Sequence, residues 1–327
     1  VPARRGLRQD EDFRLPEMWA RDELQSEGGS VSLGQGFHFI PAAQYHMDPA
    51  EQPSLSSSVA QILLSESPLK ARFSHPRLNQ NFVQSNDSKY DLGTCAHAVV
   101  LEQDASKIVV IDPAQYPSKT GTIPGGWTNN AIRAARDNAY GAGKTPLLKT
   151  NYDDVRRMAD AALAFVEQSA IAKFWHEEDA KSEVTGIWQE GGIWLRCRWD
   201  RLSIAKRFIG DYKSTTDASP EAFSRQIIRM GYHIQEAFYR RAAKALGIDS
   251  PRFVFLAQSC EEPYECTLHD CHPALQEIAD AEVSRAISIW RTCITENRWP
   301  SYSGEVHSAM PTSYMMQDHE MRLQEAA

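Results

Sequence analysis

The stretch Ile193-Trp194-Leu195-Arg196-Cys197-Arg198-Trp199-Asp200 decides the fold, together with Arg207-Phe208-Ile209-Gly210-Asp211-Tyr212-Lys213, which follows a turn around Leu202 to Ala205. Read with period two, the first segment places Ile193, Leu195, Cys197 and Trp199 on one face and Trp194, Arg196, Arg198 and Asp200 on the other. The same alternation in the second segment sends Asp211 and Lys213 to a common side. A hairpin is therefore expected, with Asp200 and Asp211 converging across it. Beyond it a helix is predicted from Pro220 to Leu246, with Thr216 or Asp217 as N-cap and Gly247 as its end.

Two carboxylates and an ammonium at one place suit the hydrolysis of a phosphodiester. That reaction needs charge neutralised on the transition state, a water activated and the leaving oxygen stabilised, all of which carboxylate-held Mg²⁺ can supply. Mg²⁺ keeps several waters and asks for few protein oxygens. Asp200, Asp211 and the carbonyl of Tyr212 meet that need, and Lys213 could orient the attacking water or help deprotonate it. A dominant metal charge would lower the pKa of Lys213, and dominant carboxylates would raise it. An Asp-x-Lys tripeptide alone occurs by chance on the order of once in a chain of this length, so its company matters. Gln235 and Tyr239 supply it: four apart, they share a helix face, where Gln235 could reach a phosphate or base and Tyr239 the DNA backbone. The competing reading of the same pair is a partly buried amide and a half-buried aromatic.

These residues, with Pro53-Ser54-Leu55-Ser56-Ser57-Ser58, Ser67-Pro68, His75-Pro76-Arg77-Leu78-Asn79, the run from Leu92 to Glu102 and Trp127, resemble the PD-(D/E)XK nuclease superfamily. Within it they resemble the RecE-type, exodeoxyribonuclease VIII-like exonucleases of phages and prophages, over about Phe37 to Leu268. The resemblance implies an α/β fold, a restriction-endonuclease-like mixed central sheet flanked by helices, with a helical N-terminal elaboration. It implies His97, Asp200, Asp211 and the Tyr212 carbonyl as ligands of Mg²⁺ or Mn²⁺, Lys213 as the catalytic lysine, and Gln235 and Tyr239 on the DNA side. It further implies 5′ to 3′ degradation of one strand of linear duplex DNA, leaving 3′ single strands for recombination, by a ring-like homo-oligomer working with a single-strand annealing protein. An endonuclease, a single-strand nuclease or a non-catalytic DNA-binding or scaffold protein on the same fold stay open as alternatives. Glu183 falls where relatives tend to carry a glutamate, but Glu177-Glu178-Asp179 nearby fit a solvated loop equally well, so it stays outside the main set. One departure is Cys197, at a place where the wider superfamily often has glycine.

The 327 residues carry a formal net charge of −8, which argues against a chain that coats DNA throughout. Charge is uneven, however: from Arg196 to Lys244 eleven Lys/Arg stand against five Asp/Glu. Arg225 and Arg229 on the predicted helix are candidates for backbone contact, or simply a solvated face. Residues 1–36 read as a flexible N-terminal arm, 37–300 as a single nuclease domain with its core at 91–103 and 183–258, and 301–327 as a tail. Helices are expected after Ser56, over Asp91–Gln103 bearing His97, Trp127–Gly141, Tyr152–Trp175 and Leu275–Asn297, and strands at 107–111 and 252–257. The six cysteines read as reduced structural thiols; Cys260, Cys266 and Cys271 raise the question of an iron–sulfur cluster, but their spacing is wrong for one. With no long apolar run and no apolar leader, a cytoplasmic enzyme in a bacterial or phage-infected cell, without a membrane partner, is the expectation.

Overall fold

The computed structural model describes residues 32–83, 95–102, 106, 108–118 and 120–325. Most of the expected arm and the opening of the expected Asp91–Gln103 helix lie outside these residues. The main sheet runs β1 (Gly36–His38), β4 (Lys181–Glu190), β5 (Ile193–Ser203), β6 (Phe208–Thr215), β7 (Arg252–Ser259) and β8 (Cys266–His269). Every neighbouring pair is antiparallel except β6 and β7. A parallel pair needs a return crossover, and α7 (Pro220–Arg229) and α8 (Tyr232–Ala245) provide it. A small parallel sheet pairs β2 (Ile108–Ile111) with β3 (Thr145–Leu148), joined through α4 (Asn130–Gly141).

Helices cover both faces of the main sheet, giving the mixed α/β architecture expected. On one face α2 (Ser57–Ser65), α7, α8 and α9 (Pro273–Glu296) bury Phe223, Phe238 and Trp290 against Leu195, Trp199 and Phe255. On the other, α5 (Lys149–Gln168), the short α6 (Ala172–Trp175) and the helical segment 95–102 pack Met158, Trp175 and Val100 on Phe208, Tyr212 and Leu256. Burying side chains of this size stabilises the fold by roughly 1.5–3 kcal/mol each. The remaining helices are α1 (Ala42–His46), α3 (Pro68–Ser74) and α10 (Ser313–Glu325), the last an exposed helix where the sequence suggested only a polar tail. No helix among the described residues is long and apolar enough to cross a membrane.

Three expectations need correction. The single helix from Pro220 to Leu246 is two, because the chain bends at Gly231, whose φ is 69°. Gln61 of α2 docks there, donating to the Gly231 carbonyl at 3.0 Å, and a Cβ at Gly231 would lie 3.0 Å from the Gln61 amide carbon. The predicted Tyr152–Trp175 helix begins earlier, at Lys149, and breaks after Gln168 into α5 and α6. Strict alternation along β5 also fails at one point. Ile193, Leu195, Cys197 and Trp199 share a core, but the next members are Leu202 and Ile204, so the phase slips by one residue around Asp200. Directly across on β4, between the pairs Ser182–Arg201 and Val184–Trp199, Glu183 adopts a left-handed φ of 58°.

Cys197 lies opposite Gly186, where an added Cβ would come 2.5 Å from the Trp199 ring and 3.2 Å from the Cys197 sulfur. The charged face of β5 is not solvated. Arg196 Nη1 donates to the Ser54 carbonyl at 2.6 Å and lies 3.1 Å from Asp48 Oδ1, while His75 Nε2 lies 3.2 Å from Asp48 Oδ2. Ser54 adds a backbone N–H to Asp48 at 2.9 Å. Ser56 and Ser67 cap α2 and α3. Much of the upstream pattern in the sequence thus serves architecture, fastening residues 48–77 to β5.

Candidate metal centre

β5 and β6 pair at Arg201–Gly210, Leu202–Ile209 and Ser203–Phe208, and the pairing stops just before Asp200 and Asp211. The aspartates therefore stand where the strands part. Asp200 Oδ2 accepts the Tyr212 backbone N–H at 2.9 Å, a contact that holds the carboxylate in the gap. Asp200 is also 3.2 Å from His97 Nε2, and His97 Nδ1 is 3.2 Å from Glu183 Oε1. The imidazole is aimed by its helical segment, which seats Ala96 and Val100 in the core while His97 stays 31% exposed.

Asp211, fully buried, faces the α8 side. One oxygen accepts from Lys213 Nζ and the other from Gln235 Nε2 at 2.9 Å. Lys213 also lies over the Tyr232 ring, 5.2 Å from its centroid. The structure brings Lys213 onto Asp211 and His97 onto Asp200, and the two pairs act on each other electrostatically, but Asp211 is not among the donors close enough to share an ion with Asp200 and His97. Gln235 is engaged by Asp211. Tyr239 is 6% exposed, packed on Trp199 and Phe253, and does not open onto the surface. Tyr212 turns its phenol away from the cleft to Gln258 Oε1, at 2.7 Å. Arg225 and Arg229 are exposed on α7.

The electrostatics divide the carboxylates. Burial disfavours the Asp200 carboxylate, but His97 and then Lys213 outweigh it and its pKa is lowered. Burial dominates at Asp211, which despite Lys213 is raised to about 7, with Asp200 adding to the rise. His97 is pulled down by burial, yet Asp200 and then Glu183 lift it to about 9. Lys213 is likewise penalised by burial and raised overall by Asp211 and Asp200, so carboxylates dominate its protein surroundings.

Glu183 is the residue that sequence reasoning left aside. Arg198 Nε donates to its Oε2, while Oε1 is buried and accepts no aligned hydrogen bond even though His97 Nδ1 is near. Among the described residues, His97, Glu183 and Asp200 form the one group of three metal-type donors close enough to share an ion, their ligand atoms within 4.8 Å of one another. A buried carboxylate oxygen that has an ion pair with His97 but no aligned hydrogen bond, beside a second carboxylate, fits a divalent cation with oxygen preference. The signal available in sequence was the position of Glu183 opposite Asp200 once the hairpin register is drawn. Cys260, Cys266 and Cys271 form no such group, and burial pushes all three thiols up, Cys266 and Cys271 to about 12.

A mixed sheet between helices, with acidic residues where β5 and β6 part and a lysine two positions past the second, defines the PD-(D/E)XK nuclease fold. The chain belongs to the family described as a PDDEXK-like domain of unknown function, DUF3799, whose model matches residues 58–311. A crystal structure of a candidate exonuclease from Eubacterium rectale superimposes with a TM-score of 0.53 at 12% identity, over 86% of this chain and 98% of that one. A second crystal structure, of the protein SSO0001, reaches a TM-score of 0.27 at 10% identity over 63% and 88% of the two chains, too loose an overlap to argue from. No curated protein matches the chain by sequence.

Proposed function

We propose that the protein is a metal-dependent DNA exonuclease that hydrolyses phosphodiester bonds at the ends of linear duplex DNA. The observation that carries this reading is a pair of groups, His97–Glu183–Asp200 and Asp211–Lys213–Gln235, centred on the facing residues Asp200 of β5 and Asp211 of β6 and acting on each other electrostatically. Mg²⁺ or Mn²⁺ would be held by His97, Asp200, Asp211 and the Tyr212 carbonyl, with Glu183 added to that set. The ion supplies neutralisation of phosphate charge and a more acidic water.

The side chains do the rest. Lys213, with a raised pKa, is charged at neutral pH, so it serves as a cation facing the scissile phosphate and as an orienter of water. Gln235 fixes the rotamer of Asp211, and the Tyr212 N–H fixes that of Asp200, so both carboxylates are pre-set before substrate arrives. Arg225 and Arg229, exposed on the helix that precedes Gln235, engage the DNA backbone, and Tyr239 supports the site from beneath.

Exonuclease action is supported by the RecE-type resemblance and by likeness to a candidate exonuclease fold, and its direction, 5′ to 3′ with a 3′ single strand left for recombination, by the resemblance alone. A ring-like homo-oligomer suits the net charge of −8, since one acidic chain has little electrostatic hold on DNA. A single-strand annealing protein is the matching partner, and the cytoplasm the matching compartment. The test is incubation of end-labelled linear duplex and of covalently closed circular DNA with and without Mg²⁺. Release of 5′ label from the linear substrate alone is expected; equal cleavage of the circle would make the enzyme an endonuclease.

A further inference from the structure

Glu183 is held in a way that its neighbours on β4 are not. Its φ of 58° lies in the left-handed region, which is unfavourable for an L-residue. One carboxylate oxygen is left without an aligned donor and the other is taken by Arg198. Arg198 is itself only 11% exposed and is anchored on three sides. Its Nη1 donates to the Ile40 carbonyl at 2.8 Å and to Thr185 Oγ1 at 3.1 Å, and its guanidinium carbon sits 5.9 Å from the centroid of the Tyr45 ring. A fork so fixed constrains the acid it holds.

We propose that Arg198 is a positioning residue which pins Glu183 through Oε2, so that Oε1 alone is offered to a divalent cation shared with His97 and Asp200. This rests on the metal-dependent reading above. A carboxylate with both oxygens free can embrace a cation through two of them, which suits the larger and more flexible Ca²⁺; one presented oxygen suits Mg²⁺ or Mn²⁺, which demand compact octahedral shells. Arg198 thereby sets ion preference as well as affinity. A purely structural Arg198, tying the Ile40 segment to β4, would affect stability without regard to which ion is added.

Calorimetric titration of the full chain with Mn²⁺ and with Ca²⁺ separates these cases. Arg198→Met is expected to weaken Mn²⁺ binding about 10–100-fold, as loss of a partner behind a ligand does, and Ca²⁺ binding less. In a Glu183→Gln background the same change should add less than about twofold, because its route is gone. Should Arg198→Met fail to fold, Arg198→Lys carries the same comparison, since one ammonium cannot replace the planar fork. Equal loss in both backgrounds, or equal loss for both ions, overturns the assignment. If Glu183→Gln weakens Mn²⁺ while the Arg198 variants do not, this inference fails alone. If the unaltered chain binds no Mn²⁺, the metal-dependent reading fails and takes this one with it.

Discussion

Replacing Asp48 by Asn should destabilise the protein by about 3–5 kcal/mol, the range expected when one partner of a buried ion pair is removed. Asp48 is 3% exposed and Arg196 4%, so neither charge has water to fall back on. Asp48 takes Arg196 at 3.1 Å, His75 at 3.2 Å and the Ser54 backbone N–H at 2.9 Å. An amide keeps the volume and tolerates the left-handed φ of 60° at this position, but it turns one acceptor into a donor and leaves Arg196 without its counter-charge. At about 2 °C per kcal/mol for a protein of this size, the melting temperature should fall about 6–10 °C. Burial alone would raise the pKa of Asp48, but hydrogen bonding with His75, the charge of Arg196 and the Ser54 hydroxyl together lower it. The stability it lends is therefore present above its unfolded pKa and disappears as pH falls through the lower folded value. The gap between wild type and variant should accordingly narrow below about pH 4. Thermal and urea denaturation across pH check this, and well below its melting point the variant should keep its cleavage activity, since Asp48 touches no group of the candidate centre. A loss under 1 kcal/mol, or a gap that does not change with pH, would refute the ion-pair reasoning.

Other outcomes follow from the same geometry. Gly231→Ala should cost about 1–2 kcal/mol by urea denaturation, because alanine meets both the left-handed φ of 69° and the Gln61 side chain; a stabilised variant would contradict the bend. In chelated protein, His97 should titrate near pH 9 by NMR, so its contribution to stability is complete below its unfolded value of about 6.5 and is lost as pH rises through about 9; a midpoint near 6.5 would contradict the ion pairs with Asp200 and Glu183. Because that imidazolium must lose its proton to serve as a ligand, Mn²⁺ binding at pH 7.5 should release protons, seen as a binding enthalpy that varies with buffer; buffer independence would argue against His97 as a ligand.

The hairpin was legible in sequence because alternation is a backbone property: Ile193 to Trp199 and Phe253 to Ala257 announce strands wherever they are placed. Asp200, Asp211 and Lys213 could be brought together on paper for the same reason. What was not legible depends on contacts distant in sequence. Gly231 reads as a tolerated helical glycine until Gln61 of another helix is seen against it. Glu183 reads as one more acid after Glu177, Glu178 and Asp179 until its φ and the phase slip at Asp200 bring the two residues face to face. Tyr239 shares a helix face with Gln235 as spacing requires, but the aromatic neighbours Trp199 and Phe253 decide that it is buried. The short strands β3 and β8 carry too few residues for any period to stand out. His75, Ser54 and Arg77 belonged to a family-like pattern whose purpose, holding residues 48–77 on β5, only the ion pairs with Asp48 disclose.

The most direct measurement of the central claim is cleavage of end-labelled linear duplex in Mg²⁺ by the unaltered chain and by Asp211→Asn, both verified as folded by circular dichroism. Removing one carboxylate from a buried pair that shares Lys213 should lower the rate by at least about a thousandfold, the scale on which electrostatic and acid–base contributions act. Rapid cleavage by the unaltered chain, abolished by EDTA and by the substitution, is the expected result. Undiminished cleavage by the folded Asp211→Asn protein would mean that the chemistry happens elsewhere.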